Sequence, residues 1–168
     1  MRTKLTITIA MVMAFLLAWQ HVNGGVPAHH LLADPSRPAL SNWWGLLTLP
    51  LLAWFLLGRI DARRVADPAA VPRMQLAFGG ALLYGAALAT LFTASHASVT
   101  DSMALAIFVL ALFLPVYRAE YVLGFVIGMT WSFGAILPMI AAAVFAAAGA
   151  VIHLGVRFLY SRALLLRR

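Results

Sequence analysis

The chain has no cysteine and few charged side chains. Because none of its 168 residues is cysteine, disulfides, thiolate metal sites and thiol redox chemistry are excluded. Only 10% of the residues are charged, whereas 64% are hydrophobic. So little polar surface cannot cover a water-soluble globule. The composition therefore predicts an integral membrane protein, with the lipid bilayer as its main partner.

Acidic residues are scarce as well. The chain has 5 Asp and Glu against 12 Lys and Arg, which gives a net charge of +7. An excess of this size can indicate a nucleic-acid partner. Here, however, the basic residues stand at the ends of apolar runs and in alternate gaps, which is the pattern that sets membrane topology. We therefore expect no nucleic-acid partner.

Long apolar runs fill most of the chain and predict an all-α bundle that forms a single domain over residues 1–168. Their continuity excludes a β-barrel, whose strands alternate apolar and polar residues. Six transmembrane helices are predicted, at residues 5–20, 43–58, 74–93, 102–116, 121–137 and 139–160. The fourth and fifth are short for a hydrocarbon core of ~30 Å, so they need a tilt or an extra turn.

The basic residues also predict the orientation. Eleven of the twelve Lys and Arg residues lie on one side of the predicted bundle, and Arg37 alone lies on the other. The positive-inside rule then puts both termini in the cytoplasm of a bacterial-type inner (plasma) membrane, with loops 21–42 and 94–101 outside. An alternative is that the first run is a secretory signal cleaved after Val26-Pro27-Ala28, which would leave an odd number of spans.

Polar side chains are concentrated in the two outer loops, which contain four of the five histidines and two carboxylates. In the first loop, Pro27 and Pro35 predict the start and end of a short helix, on which His30 and Asp34 share a face. Imidazoles and carboxylates on one side of a membrane predict a metal site that also does chemistry. The predicted metal ligands are His21, His29, His30 and His96, and the predicted catalytic carboxylates are Asp34 and Asp101.

This ligand set suits a divalent metal ion, zinc first, because no soft thiolate is present. Haem held by His21 and His96 is less favoured, since only one pair stands at suitable helix ends. Two other interpretations stay open: a metal-free ligand site, and histidines that only hydrogen-bond to loop carbonyls and headgroups. Asp101 has a further explanation as the N-cap of the fourth helix, and Ser41 or Asn42 as that of the second.

Three more features are candidates for binding or packing. Asn42, Trp43 and Trp44 could bind a small molecule at the outer interface. His153 lies inside the cytoplasmic half of the last span, where it is either functional or bonded to Tyr84 or Gln75. Small residues at Gly124 and Gly128 predict close helix packing, against the Ala-rich sixth span or against a partner chain.

Two classes of function follow from these residues. The first is a metal-dependent membrane hydrolase that acts on a lipid or lipid-linked substrate at the outer leaflet. The second is a capture or uptake subunit for a small molecule or metal ion, which resembles the substrate-binding subunits of energy-coupling-factor transporters in topology alone. A structural subunit of a membrane complex is a further alternative. A secondary transporter is disfavoured because no charged side chain is predicted near the middle of any span.

Overall fold

Six α-helices and one β-hairpin make up the described part of the chain. The computed structural model describes residues 1–30, 36 and 38–165. The helices are α1 (Arg2–Val22), α2 (Gly45–Ala66), α3 (Val71–Thr93), α4 (Ala97–Phe113), α5 (Ala119–Phe133) and α6 (Ile136–Leu165). The hairpin consists of β1 (Ala28–His30) and β2 (Ala39–Ser41), and short 3₁₀ turns at Asn42–Trp44 and Pro68–Ala70 lead into α2 and α3. The predicted helical bundle is confirmed.

Four of the helices are long and apolar enough to cross a membrane. They cover Arg2–Val22, Asn42–Ala66, Pro68–Thr93 and Ile136–Arg162, counting the 3₁₀ turns that precede α2 and α3. The two others are shorter: α4 has 17 residues and α5 has 15, which gives about 26 Å and 23 Å at ~1.5 Å per residue. By length and composition, four crossings are supported, and the crossings by α4 and α5 stay predictions.

The central helix of the bundle is α5. It packs against α2, α3 and α6, and eight of its fifteen residues are buried. Its closest neighbour is α3: a Cβ on Gly124 would overlap the carbonyl oxygen of Phe78, and one on Gly128 that of Leu82. The predicted close packing is therefore present, but the partner is α3 and not the sixth helix. Because α3 buries this face inside the chain, a partner chain would need another surface.

The bundle has two chemically different ends. The basic end contains the start of α1, the end of α2 and the start of α3. Arg2 Nε links α1 to α2 by donating a hydrogen bond to the carbonyl oxygen of Trp54 at 2.7 Å. The hairpin end contains β1, β2, the start of α2 and the corner between α5 and α6. The basic end and the hairpin end serve as reference points for the positions of the candidate residues.

The first loop folds differently from the prediction. Residues 28–30 form a strand, in which His29 pairs with Leu40, and the amide of Asn42 donates to the carbonyl oxygen of Pro27 at 3.0 Å. The predicted helix between Pro27 and Pro35 is wrong for these residues, because antiparallel pairing with β2 satisfies their backbone groups instead. Residues 31–35, including Asp34, lie outside the described residues.

Candidate functional site

The end of α1 contributes the first buried polar side chain at the hairpin end. Two glycines with positive φ, Gly24 at +119° and Gly25 at +100°, end the helix and turn the chain back toward the bundle. The amide of Gly25 donates to the carbonyl oxygen of Gln20 at 3.0 Å, which closes the last turn. Gln20 lies on the same face as the core residues Met13 and Leu17 and is 8% exposed. The turn therefore leaves a polar side chain buried at the hairpin end.

The 3₁₀ turn that leads into α2 contributes a second buried polar side chain. Ser41 Oγ accepts a hydrogen bond from the amide of Trp43 at 3.3 Å, so Ser41 caps this 3₁₀ turn, whereas α2 itself has no side-chain cap. The next residue, Asn42, is only 4% exposed. Its side chain lies against Gly134, where a Cβ would overlap the amide group. Gly134 itself has φ +67° and ψ −167°, a conformation almost limited to glycine.

The hairpin brings a histidine to the same place. The ring of His29 lies 5.8 Å from the ring of Phe133, measured between centroids, and Phe133 in turn packs edge-on against Phe92 at 4.9 Å. His29 and Asn42 thus contact consecutive residues, Phe133 and Gly134, at the end of α5. We call the group formed by His29, Asn42, Phe133 and Gly134 the hairpin corner.

Polar atoms at this end are buried without hydrogen bonds. Within the described part of the chain, His29 Nε2, Asn42 Nδ2 and Gln20 Oε1 are enclosed and have no hydrogen-bond partner. A buried polar group without a partner costs about 1–3 kcal/mol, so such groups are normally satisfied by water or a ligand. The set includes a donor on Asn42, an acceptor on Gln20 and an imidazole nitrogen that can be either. The two groups on the hairpin corner, the Asn42 donor and the His29 nitrogen, can bind an uncharged polar group.

The predicted metal ligands do not form one cluster. His21 packs against the ring of Trp43 at 6.1 Å between centroids, and its side chain is exposed. His30 follows His29 in β1, so it points to the other side of the strand and is exposed. His96 is an exposed residue between α3 and α4. Among residues 1–30, 36 and 38–165 there is no group of three or more His, Asp or Glu side chains that could hold a metal ion.

Asp101, Trp43 and Trp44 are exposed in the structure. Asp101 is exposed and lies in the second turn of α4, because that helix begins at Ala97; the prediction that it caps the helix is wrong. Trp43 and Trp44 are 49% and 58% exposed, which suits anchors at a membrane interface better than the lining of a buried site. Of the three predicted ligand-binding residues, only Asn42 is buried.

His153 is buried at 8% exposure in α6. Its Nδ1 lies 3.2 Å from the carbonyl oxygen of Ala111 in α4, and its ring lies 5.9 Å from that of Tyr117. The expected partners, Tyr84 and Gln75, are not the ones it contacts: the hydroxyl of Tyr84 donates to the carbonyl oxygen of Met103 at 2.5 Å. His153 therefore ties α6 to α4, away from the hairpin corner.

The most buried charged residue of the described chain was missed. Glu120, in the first turn of α5, is 2% exposed and forms an ion pair with Arg63 of α2 at 2.5 Å. The sequence pattern indicated a role for Arg63 in membrane topology alone. The available signal was a lone glutamate beside an apolar run, on the same predicted side as several arginines.

Comparisons with known proteins do not assign this chain to a family. No family model matches the chain, and no curated protein or solved structure is significantly similar to it. The site must therefore be interpreted from its own chemistry.

Proposed function

We propose that this chain is an integral membrane protein with six transmembrane helices, both termini in the cytoplasm of a bacterial-type inner membrane, and a polar binding site at its outer end. The hairpin corner is that site. It would capture a small uncharged polar molecule, or the polar head of a lipid-linked one, from the outer interface. The observation that carries the proposal is the pair of buried, unpartnered atoms His29 Nε2 and Asn42 Nδ2, on two side chains that contact the consecutive residues Phe133 and Gly134.

Contacts at both ends of α5 support its crossing. Glu120 near its start bonds to Arg63 at the end of α2, and Gly134 after its last residue lies against Asn42 in the 3₁₀ turn just before α2. The short helix thus extends between the same two ends as α2, which is long enough to cross. Its burial among α2, α3 and α6 also reduces the need for a full-length lipid-facing surface.

Capture is favoured over catalysis by the groups at the corner. General acid–base chemistry normally needs a second titratable group within hydrogen-bond reach of the first. Among the described residues, His29 contacts the ring of Phe133 and pairs with Leu40 across the hairpin, and neither of these residues titrates. Asn42 supplies a donor and an acceptor but no base. The arrangement binds and orients better than it transfers protons.

A zinc-dependent hydrolase that acts on a lipid or lipid-linked substrate is the second candidate, and one observation favours it. His29 Nε2, the imidazole nitrogen that most often binds zinc, is buried and unpartnered. In this candidate His29, His21, His30 and His96 would hold the zinc ion, which would supply a Lewis acid, and Asp34 or Asp101 would serve as the general base. The exposed positions of His21, His30 and His96 require the loops to close around the metal.

The test uses full-length protein purified in mild detergent with a histidine-free tag. Native mass spectrometry detects a copurified small molecule, and elemental mass spectrometry with a Zn²⁺ titration detects metal. For capture we expect an organic adduct that is lost in His29→Ala and Asn42→Leu but kept in the exposed control His96→Ala. Zinc bound stoichiometrically, and lost in both His29→Ala and His96→Ala, would establish the second candidate instead. Protein with neither adduct nor zinc would overturn both.

A further inference from the structure

A second site lies in the membrane-facing side of the bundle, away from the hairpin corner. Helices α3, α4, α5 and α6 enclose a groove of about 560 Å³. This volume is within the roughly 300–1,000 Å³ of small-molecule binding sites. Only three of its sixteen lining residues carry a polar side chain, namely Arg73, Tyr84 and Tyr121. The walls are otherwise aliphatic or aromatic, so the groove suits a hydrocarbon chain.

The groove has the length of one membrane leaflet. Along α3 its lining runs from Arg73 to Tyr84, a distance of about 16 Å at ~1.5 Å per residue. That is close to half of a hydrocarbon core of ~30 Å. At the deep end of the groove, farthest from Arg73, the hydroxyl of Tyr84 donates a hydrogen bond to the carbonyl oxygen of Met103. The polar side chain at the middle of the membrane is therefore already satisfied and does not call for a polar ligand.

The mouth of the groove is positively charged. Arg73 lies in the first turn of α3, at the basic end, and Tyr121 lies in the first turn of α5, on the wall that adjoins α3. Arg73 is exposed, and among the described residues no carboxylate forms a salt bridge with it. A guanidinium and a phenol at an interfacial mouth match a phosphate group in charge and in hydrogen bonding.

We propose that this groove binds one anionic glycerophospholipid, with an acyl chain between α3 and α6 and its phosphate at Arg73 and Tyr121. Basic pockets between transmembrane helices on the cytoplasmic side are typical sites for anionic headgroups. The proposal is independent of the hairpin corner. It uses the orientation proposed above only to assign the lipid to the cytoplasmic leaflet.

Two adjacent glycines provide a matched pair of variants. Gly79 and Gly80 both lie inside α3, and a Cβ on either would meet no atom within 4 Å. Gly80 lines the groove, whereas Gly79 does not. Gly80→Leu therefore puts a bulky side chain into the groove with no clash at its Cβ, and Gly79→Leu makes the same chemical change outside the groove. Both substitutions replace a poor helix former by a good one, so both variants should fold.

The experiment titrates delipidated, full-length protein in mild detergent with phosphatidylglycerol or phosphatidylcholine of identical chains, and native mass spectrometry counts bound lipid. We expect one phosphatidylglycerol per chain, lost in Gly80→Leu and kept in Gly79→Leu. Arg73→Ala should weaken phosphatidylglycerol binding roughly fivefold, the effect of one basic residue near an anionic lipid, and Arg73→Lys should keep most of it. The control Arg59→Ala, an exposed arginine beside Phe55 that does not line the groove, should bind as the unmodified protein does.

Three results would overturn the proposal. Equal lipid retention in Gly80→Leu and Gly79→Leu would show that the lipid binds elsewhere on the protein. Equal affinity for the two headgroups, unchanged in Arg73→Ala, would remove the anionic part of the assignment. Equal weakening by Arg73→Ala and Arg59→Ala would show only a diffuse charge effect.

Discussion

Arg63 Nη1 lies 2.5 Å from Glu120 Oε1, and this ion pair joins the end of α2 to the start of α5. The two partners differ in exposure: the side chain of Arg63 is 36% exposed and that of Glu120 only 3%. The second carboxylate oxygen, Oε2, is buried and has no partner among the described residues. Glu120 therefore depends on Arg63 for its main compensation.

Arg63→Ala should destabilise the bundle by about 3 kcal/mol, because it leaves a carboxylate buried without its cation. The measurement is thermal or denaturant unfolding in detergent. Arg64→Ala is the matched control: Arg64 is exposed, its contact is the sulfur of Met1, and its loss should cost less than about 0.5 kcal/mol. The double variant Arg63→Met/Glu120→Leu should recover most of the stability. Equal losses for the two single variants would contradict the role of the pair.

Gly128→Leu should disrupt the contact between α3 and α5 at a cost of about 3 kcal/mol or more. Its side chain would overlap the backbone carbonyl of Leu82, which cannot rotate away. Gly79→Ala, on open surface of α3, should instead be neutral or stabilise by up to about 1 kcal/mol. Unfolding midpoints of the two variants in one detergent check this. Tolerance of Gly128→Leu would mean that the two helices are farther apart than described.

Gly134→Ala tests the hairpin corner. It strains a backbone at φ +67° and displaces the amide of Asn42, so we expect a loss of about 2–3 kcal/mol together with loss of the bound ligand. Gly24→Ala carries a similar backbone strain at φ +119° but meets no atom within 4 Å. It should be destabilised less and keep the ligand. Stability and native mass spectrometry of both variants separate the strain from the contact with Asn42.

His153→Ala should lower stability by about 2 kcal/mol, because it removes a buried ring and leaves the carbonyl of Ala111 without its bond. Ligand or zinc content at the hairpin corner should not change. His96→Ala, which removes an exposed ring, should affect stability by less than about 0.5 kcal/mol. A stable His153→Ala protein that loses its copurified ligand would instead make His153 part of the binding site.

The absence of cysteine allows a direct test of topology. Single cysteines at the exposed positions Ala28, Ser98, Ala66 and Ser161 can be labelled in intact cells with a membrane-impermeant maleimide. We expect labelling of Ala28→Cys and Ser98→Cys, and of Ala66→Cys and Ser161→Cys only after the cells are lysed. Labelling of Ser98→Cys only after lysis would contradict the predicted outer position of the loop between α3 and α4.

The sequence predicted the helices of this chain better than its loops. The apolar runs located all six helices, because a continuous hydrophobic segment has one stable backbone arrangement in lipid. The boundaries moved outward where polar residues extend a helix, as in α2, which continues to Ala66. The first loop was assigned wrongly, since its two strands pair across a gap in sequence that no local pattern reveals.

The candidate site was predicted only in part. Loop composition pointed to the hairpin end and to His29 and Asn42, and the structure brings these two together at Phe133 and Gly134. It leaves His21, His96 and Asp101 exposed, and it buries Gln20, which had attracted no attention. Periodicity can place residues at the same end of a bundle, but it cannot say which side chains face each other.

The absence of cysteine and the scarcity of charged residues are enough by themselves to determine the chemical class of this chain. They indicate a membrane protein and exclude thiol chemistry, because composition fixes how much surface can face water, and the long apolar runs make that protein helical. Tertiary structure alone decided that Glu120 meets Arg63, that α3 packs on the glycines of α5, and that a groove opens at Arg73. These are contacts between residues far apart in the chain, and they depend on how helices rotate against one another, which no single segment specifies.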